Sequence, residues 1–360
     1  MPASEVLVPD FGGKAERERE EQQRWPAPVG GPAPLRVVCI GGGTGLPAML
    51  GGLSRLAHRS GTVGSVDVTA VVAVSDDGGS SGRLRREQGV LPPGDVRNCL
   101  VALADKRHRA LARLFQYRFG AGRGLKGHAL GNLLLTALAS MEGDFLAAIR
   151  RAEHLLQCEG HVLPATLEPV QLLGVLSDGS EIRGERKFDQ PRSTTITRVE
   201  LLPRAPMATP GVLDAIRMAD VVVLGPGSLY SSVIANLLVD GVAEALRETS
   251  ALRVLVQNLM TQPGETDGLD AAGHVRAVQA HAGDVVDVLL VDPLEELQPT
   301  LRTGYAEKGS RPVHFERRAV AALGVLPLEA DLLARGRRIR HDPEKAAAAI
   351  LGLALQASEA

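Results

Sequence analysis

Apolar residues along this chain fall into two alternating patterns, short β-branched runs and longer stretches at helical spacing, joined by polar, glycine-rich segments. Residues 35–40 (LRVVCI) are mostly aliphatic, as a strand buried on both faces of a parallel sheet requires. They lead through glycines into a segment whose leucines, Leu46, Leu50, Leu53 and Leu56, share one helical face. Further strands are predicted at 66–74, 219–224, 252–257 and 285–291, with a last short one at 312–315. Helices are predicted over 96–103 behind Asp95 as N-cap, 108–119, 130–141, 145–157 behind Gly143-Asp144, 233–239, 271–282 and 343–356. From 161 to 203 the runs become short and alternating around Ser177-Asp178-Gly179, a hairpin signal. The rhythm predicts an α/β protein, a Rossmann-like three-layer α/β/α body with a mostly parallel sheet over 35–342. A small antiparallel insert occupies 161–203 and a C-terminal helix 343–360. Residues 1–34, charged and proline-rich, read as a disordered or loosely packed extension.

The joints carry the candidate chemistry. Gly41, Gly42, Gly43, Thr44 and Gly45 stand between a strand and a helix, where backbone N–H groups meet the positive end of the helix dipole and suit a phosphate. Gly43 to Ala48 also fits G-x-G-x-x-A, the dinucleotide pattern, although glycines serve tight turns as well. Gly225-Pro226-Gly227-Ser228 repeats this strand–turn–helix chemistry. At the tip of the second strand, Asp76 and Asp77 precede Gly78-Gly79-Ser80-Ser81-Gly82; they suit ribose hydroxyls, or cap the next helix. Asp95, Arg97 and Asn98 open one helix, and His128 and Asn132 open another after a glycine-rich loop. His128 suits phosphate binding or acid catalysis, or is a satisfied structural histidine. The polar loop after 252–257 holds Asn258 and Thr261, where specificity contacts belong.

Composition narrows the classes. Of 360 residues, 44% are hydrophobic and 23% charged, and the net charge of −2 gives no bias toward nucleic acid or anionic membrane. The short arginine clusters at 83–86 and 335–340 are solvated surface or partners for a diphosphate. Cys39, Cys99 and Cys158 are widely spaced and fit no metal pattern, so free thiols in a reducing cytoplasm are expected. The chain shows no leader and no membrane-length apolar run, and a cytoplasmic location is expected. No nucleophile–base pair or metal cluster is visible, so the catalytic residues are unknown.

The joints taken together resemble the YvcK family of bacterial gluconeogenesis factors, in a superfamily with CofD, the phospholactate transferase of deazaflavin coenzyme synthesis. The resemblance rests on VVCIGGGTGL, SDDGGSSGRLR, LPPGDVRNCLVAL, LFQYRF, GHALGNLLL, GDF, VLGPGSLYSSVIANLLV and NLMTQPGETDG, in that order over about 35–342. It implies a Rossmann-like fold that binds a nucleotide sugar such as UDP-N-acetylglucosamine, and a role in cell shape, peptidoglycan synthesis and carbon allocation. Protein partners in cell-wall synthesis and a homodimer are compatible with such a regulator. Carried onto this sequence, the ligand site would comprise Gly42, Gly43, Thr44, Asp76, Asp95, Asn98, His128, Asn132, Gly227, Ser228, Asn258 and Thr261, with Tyr305 and Arg340 added from family members. Two positions depart from relatives: Leu269 stands where many have tyrosine, and Pro343 follows Arg340-His341-Asp342, against hydroxyl phosphorylation there. The alternatives are a CofD-like transferase, with Asp76 and Asp77 binding Mg²⁺ or an acceptor hydroxyl, and an NAD-dependent oxidoreductase.

Overall fold

Alternate side chains along each principal strand enter two different cores, and this division defines the layers. The computed structural model describes residues 33–59, 65–295 and 297–359; the expected extension lies, over 1–32, outside the described residues. β1 (Leu35–Gly41) sends Val38 and Ile40 to one core and Val37 and Cys39 to the other. β2 (Val66–Val72) divides in the same way, with Val71 on one side and Val68, Ala70 and Val72 on the other. Coverage on both faces explains why these strands are continuous apolar runs.

Next in the chain are β3 (His161–Pro164), then β4 (Gln171–Leu176), β5 (Glu181–Arg183) and β6 (Ile196–Leu202). β7 (Val221–Leu224), β8 (Leu252–Val256), β9 (Val288–Val291) and β10 (Leu326–Glu329) follow. Among the described residues, seven strands form one sheet in the order β10-β9-β8-β7-β1-β2-β3, with every neighbouring pair parallel. β5-β4-β6 make a separate antiparallel sheet.

Two strand expectations are corrected. β3 pairs in parallel with β2, with His161 opposite Thr69, so the antiparallel insert begins at Gln171 and not at 161. Three apolar residues behind a histidine are too few for periodicity to separate a buried strand from an alternating one. Pro312 makes only an isolated bridge to Met260, and the last strand is β10. Its Pro327 is tolerated because β10 is a sheet edge, where one N–H can be spared, and that proline in a run of four residues weakens the strand signal.

The helix Gly45–Arg59 carries Gly51 and Gly52, each costing about 1 kcal/mol relative to alanine. Burial of Leu46, Met49, Leu50 and Leu53, at roughly 1.5–3 kcal/mol each, outweighs that cost. Gly52 is where the closing helix Pro343–Glu359 comes down, with Ala346, Ala347 and Ile350 completing the same core. The opposite face is covered by Val212–Met218, Val242–Glu248, Ala271–Ala282 and the antiparallel insert.

The chain runs outward from β1 through β2 to β3, and again from β7 through β8 and β9 to β10 on the other side. The winding therefore reverses between β1 and β7. In an open parallel sheet a crevice forms at that point beyond the carboxyl ends of the strands. Both glycine-rich joints, after β1 and after β7, open into it.

Candidate functional site

The two glycine joints pack backbone against backbone. Gly43 has φ +64°, which glycine adopts without strain. At Gly45 an added Cβ would lie 2.7 Å from the carbonyl carbon of Pro226, and at Gly227 3.3 Å from the Gly42 oxygen. The Asn236 amide nitrogen, from the helical segment Leu229–Leu237 that follows β7, donates to the Gly41 carbonyl at 3.0 Å. That segment begins earlier than the pattern predicted, as a π-helical turn over Leu229–Ile234. Asn258, at the end of β8, donates to the Gly227 carbonyl at 2.9 Å. Thr44 stands exposed at the crest of the first joint.

Each joint is already met by a carboxylate. Asp95 was expected to cap its helix, Gly94–Leu103, but Pro93 holds that position and Asp95 lies in the first turn. Its carboxylate instead accepts from the Gly43 amide at 2.6 Å, and an added Cβ on Gly42 would lie 2.8 Å from the same oxygen. Burial raises the Asp95 pKa to about 6 despite that bond, and the nearby Asp76 charge adds to the rise. Glu265, 3% exposed, accepts from the amides of Tyr230 (3.1 Å) and Ser231 (2.8 Å) in the first helical turn after Gly225-Pro226-Gly227-Ser228. Burial pushes its pKa up to about 7, and its second oxygen has no partner among the described residues.

Acidic groups continue across the crevice. Asp76 accepts from the Gly78 amide at 2.7 Å and its pKa is raised, chiefly by burial. Asp77 accepts from the Arg186 amide of the insert at 3.1 Å. Residues 184–192 run from there to the loop after β8, where Gln262 donates to Asp189 at 2.5 Å and Arg192 donates to the Gly264 carbonyl. Ser228 donates to Gln262 at 2.8 Å, which ties the second glycine joint into this strap. Glu185 on the strap has its pKa raised well above the carboxylate range by burial, then by the charges of Asp76, Asp95 and Glu265. Gly79 lies exposed at the start of the helix Gly79–Gln88.

Beside the acids lies a donor-rich network. Arg97, 4% exposed, donates to Asn132 at 2.7 Å and to Asn98 at 2.6 Å. Asn132 donates to the Ser80 hydroxyl at 3.1 Å, and Ser80 meets His128 Nδ1 at 2.9 Å. The Ser80 oxygen accepts from Asn132 and, having a second lone pair and a proton, either donates to His128 Nδ1 or accepts from it, according to the tautomer. The His128 pKa is lowered, first by burial and then by the charge of Arg83.

Three predicted residues sit apart from this network. The Thr261 hydroxyl accepts from the Arg311 amide at 2.9 Å. Tyr305 packs against the cluster of Leu259, Leu294, Leu297 and Ile339, and its hydroxyl accepts from the Ile339 amide at 3.1 Å. Arg340 is exposed.

Residues 37–333 match the CofD family, described as 2-phospho-L-lactate transferase CofD. The chain is 43% identical to the gluconeogenesis factor of Halalkalibacterium halodurans, over 88% of this chain and 95% of that one. The gluconeogenesis factor of Bacillus subtilis (strain 168) is 39% identical, over 88% of this chain and 98% of its own. The chain belongs to the gluconeogenesis factor branch of the CofD family. A crystal structure of a UPF0052 family member from Bacillus halodurans superposes with a TM-score of 0.82 at 42% identity, covering 88% of this chain and 99% of that one.

For a gluconeogenesis factor, the unforeseen residues are Glu265 and Glu185. Both stand in polar stretches with no spacing rule to single them out, and only the fold brings them to the crevice. Arg97 had a sequence signal, its place in a helix's first turn, but its burial did not show. The arrangement offers carboxylate acceptors on one side and guanidinium and imidazole donors on the other. Among the described residues, no group of three His, Cys, Asp or Glu side chains is arranged to hold a metal ion, and no single helix is long and apolar enough to cross a membrane.

Proposed function

We propose that this protein is a cytoplasmic regulator that binds a UDP-sugar, UDP-N-acetylglucosamine foremost, and supports cell shape, peptidoglycan synthesis and carbon allocation during gluconeogenic growth. One observation carries the reading: Asp76 and Asp95 stand beside the two facing glycine joints at the winding reversal, the position at which such sheets hold nucleotides. Carboxylates there accept hydrogen bonds from ribose or sugar hydroxyls. The names of the relatives support the gluconeogenic role.

A second reading, a Mg²⁺-dependent transferase, is favoured by the match to a family described as a transferase; of the expected carboxylates Asp76 and Asp77, Asp77 is engaged by the Arg186 amide, and Asp95 is the acid near Asp76. Mg²⁺ is commonly held by one or two carboxylates together with substrate phosphates, so these two residues fit that use. Bound there, the ion would neutralise charge on a transferring phosphoryl group. Calorimetry against UDP-N-acetylglucosamine, UDP-glucose and NAD, with mass spectrometry of the products, separates the readings. Binding of the UDP-sugar without turnover supports the regulator, turnover with Mg²⁺ replaces it by the transferase, and binding of NAD alone removes both.

A further inference from the structure

We propose that the anionic part of the ligand is held by Arg97 and the amide and imidazole donors around it, and not by the two glycine joints. The proposal rests on the nucleotide-sugar reading for the ligand's identity, but its own evidence is local. Each joint already holds a carboxylate of the chain itself: Asp95 takes the Gly43 amide, and Glu265 takes those of Tyr230 and Ser231. A phosphate placed there would meet the like charge of a carboxylate.

Arg97 presents the opposite situation. It is buried, its two terminal nitrogens reach only the neutral side-chain oxygens of Asn132 and Asn98, and its Nε has no partner among the described residues. Asp95 and Asp76 attract it from beyond ion-pair distance, while Arg118 repels it, and at a pKa of about 10 it stays charged at neutral pH. Charges are seldom buried without a counterion, because desolvation is costly. The guanidinium stem crosses the first turn of the helix Leu130–Glu142, where an added Cβ on Gly131 would lie 2.8 Å from Arg97 Cδ. That helix start carries no side-chain cap; its Leu130 and Asn132 amides donate to the Tyr117 and Ala129 carbonyls, so what it offers an anion is its dipole. His128, in the same network, meets Ser80 through Nδ1, and its Nε2 is a donor in the tautomer in which Ser80 donates to Nδ1. The ligand chemistry that matches such donors is a phosphate or diphosphate, with the hydroxyl-bearing parts turned toward Asp76 and Asp95.

The test is calorimetry on the full chain with inorganic pyrophosphate, uridine and UDP-N-acetylglucosamine, comparing wild type with Arg97→Gln. Loss of a charge-assisted contact should weaken pyrophosphate and the UDP-sugar by about 10- to 100-fold and leave uridine within about twofold. Arg118→Gln, at an exposed arginine beside Arg97, serves if Arg97→Gln does not melt cooperatively; about threefold weaker pyrophosphate binding is expected from lost long-range attraction. Equal pyrophosphate affinity in a folded Arg97→Gln protein, or in Arg118→Gln where that is the variant used, overturns the proposal and leaves the nucleotide-sugar reading standing. Wild type that binds pyrophosphate with this arginine dependence but no UDP-sugar sinks the earlier reading and supports this one. Wild type that binds neither overturns both.

Discussion

The Asp95 carboxylate accepts a 2.6 Å hydrogen bond from the Gly43 amide, so an acid of the chain itself sits on the glycine-rich turn after the first strand. Glu265 does the same for the turn after β7. A strand–glycine–helix joint is an anion site only when its amides are free. The polarity of this crevice is therefore set by what arrives from other loops, and its two walls carry opposite charge.

Glu265 ties stability to pH. Its folded pKa of about 7 lies above the ordinary value of 4.5, so the folded state binds a proton that the unfolded chain has released. The stabilisation is complete below pH 4.5 and is lost as pH rises through 7. Glu265→Gln keeps an oxygen for the Tyr230 and Ser231 amides and removes the buried charge. The variant should match wild type near pH 4.5 and exceed it at pH 8 by up to about 3 kcal/mol. Urea melts across this range decide the matter; a variant less stable at pH 8 would show that the ionised carboxylate supports the fold.

Contact between the joints makes Gly45 the least replaceable residue of the first turn. A methyl group there would press on the Pro226 backbone, which no rotamer change can relieve. Gly45→Ala should cost about 1–3 kcal/mol and weaken nucleotide binding with it. Gly120→Ala, with nothing within 4 Å of the added Cβ, is the control. Thermal melts that fail to separate the two variants would mean the joints are free to part.

Much of this architecture was legible beforehand. The continuous apolar runs of β1, β2, β7, β8 and β9 announced a parallel sheet, and the glycine joints marked where it opens. The partners of those joints were not legible. Nothing in the order of residues says that Asp95 would cross to Gly43 instead of capping its own helix, since both uses suit an acid near a helix start. Glu265 and Glu185 lay in unpatterned polar stretches, and Tyr305 looked available until its hydroxyl was found holding Ile339. Spacing reports which loops share an edge, whereas side-chain direction across that edge depends on packing between distant segments.

The chain of bonds from Arg97 to His128 ends in a protonation state that can be observed. His128 should be neutral at pH 7 and titrate below the ordinary value of 6.5, because burial and the charge of Arg83 oppose the cation. Nitrogen-detected NMR of the imidazole reports both tautomer and titration. Ser80→Ala would strand Asn132 and His128 Nδ1, costing roughly 1–3 kcal/mol and releasing the tautomer preference. A histidine that titrates above 6.5 in wild type would contradict this network.

At its Gly184 end the strap over the crevice depends on one backbone approach. Gly184 has φ +85°, a conformation costly for any residue with a Cβ, and an added Cβ would collide with the Asp77 carboxylate. Gly184→Ala should therefore lift residues 184–192 from the loop after β2 and break the bond between Asp77 and the Arg186 amide. The main sheet makes none of these contacts, so the effect should be local, about 1–3 kcal/mol, with the principal unfolding transition retained. Limited trypsin digestion provides the readout, since Arg186, Lys187 and Arg192 lie within the strap. Faster cleavage there, with the remaining body intact, is the expected result, and an unchanged digestion pattern would show that Asp77 does not hold the strap down.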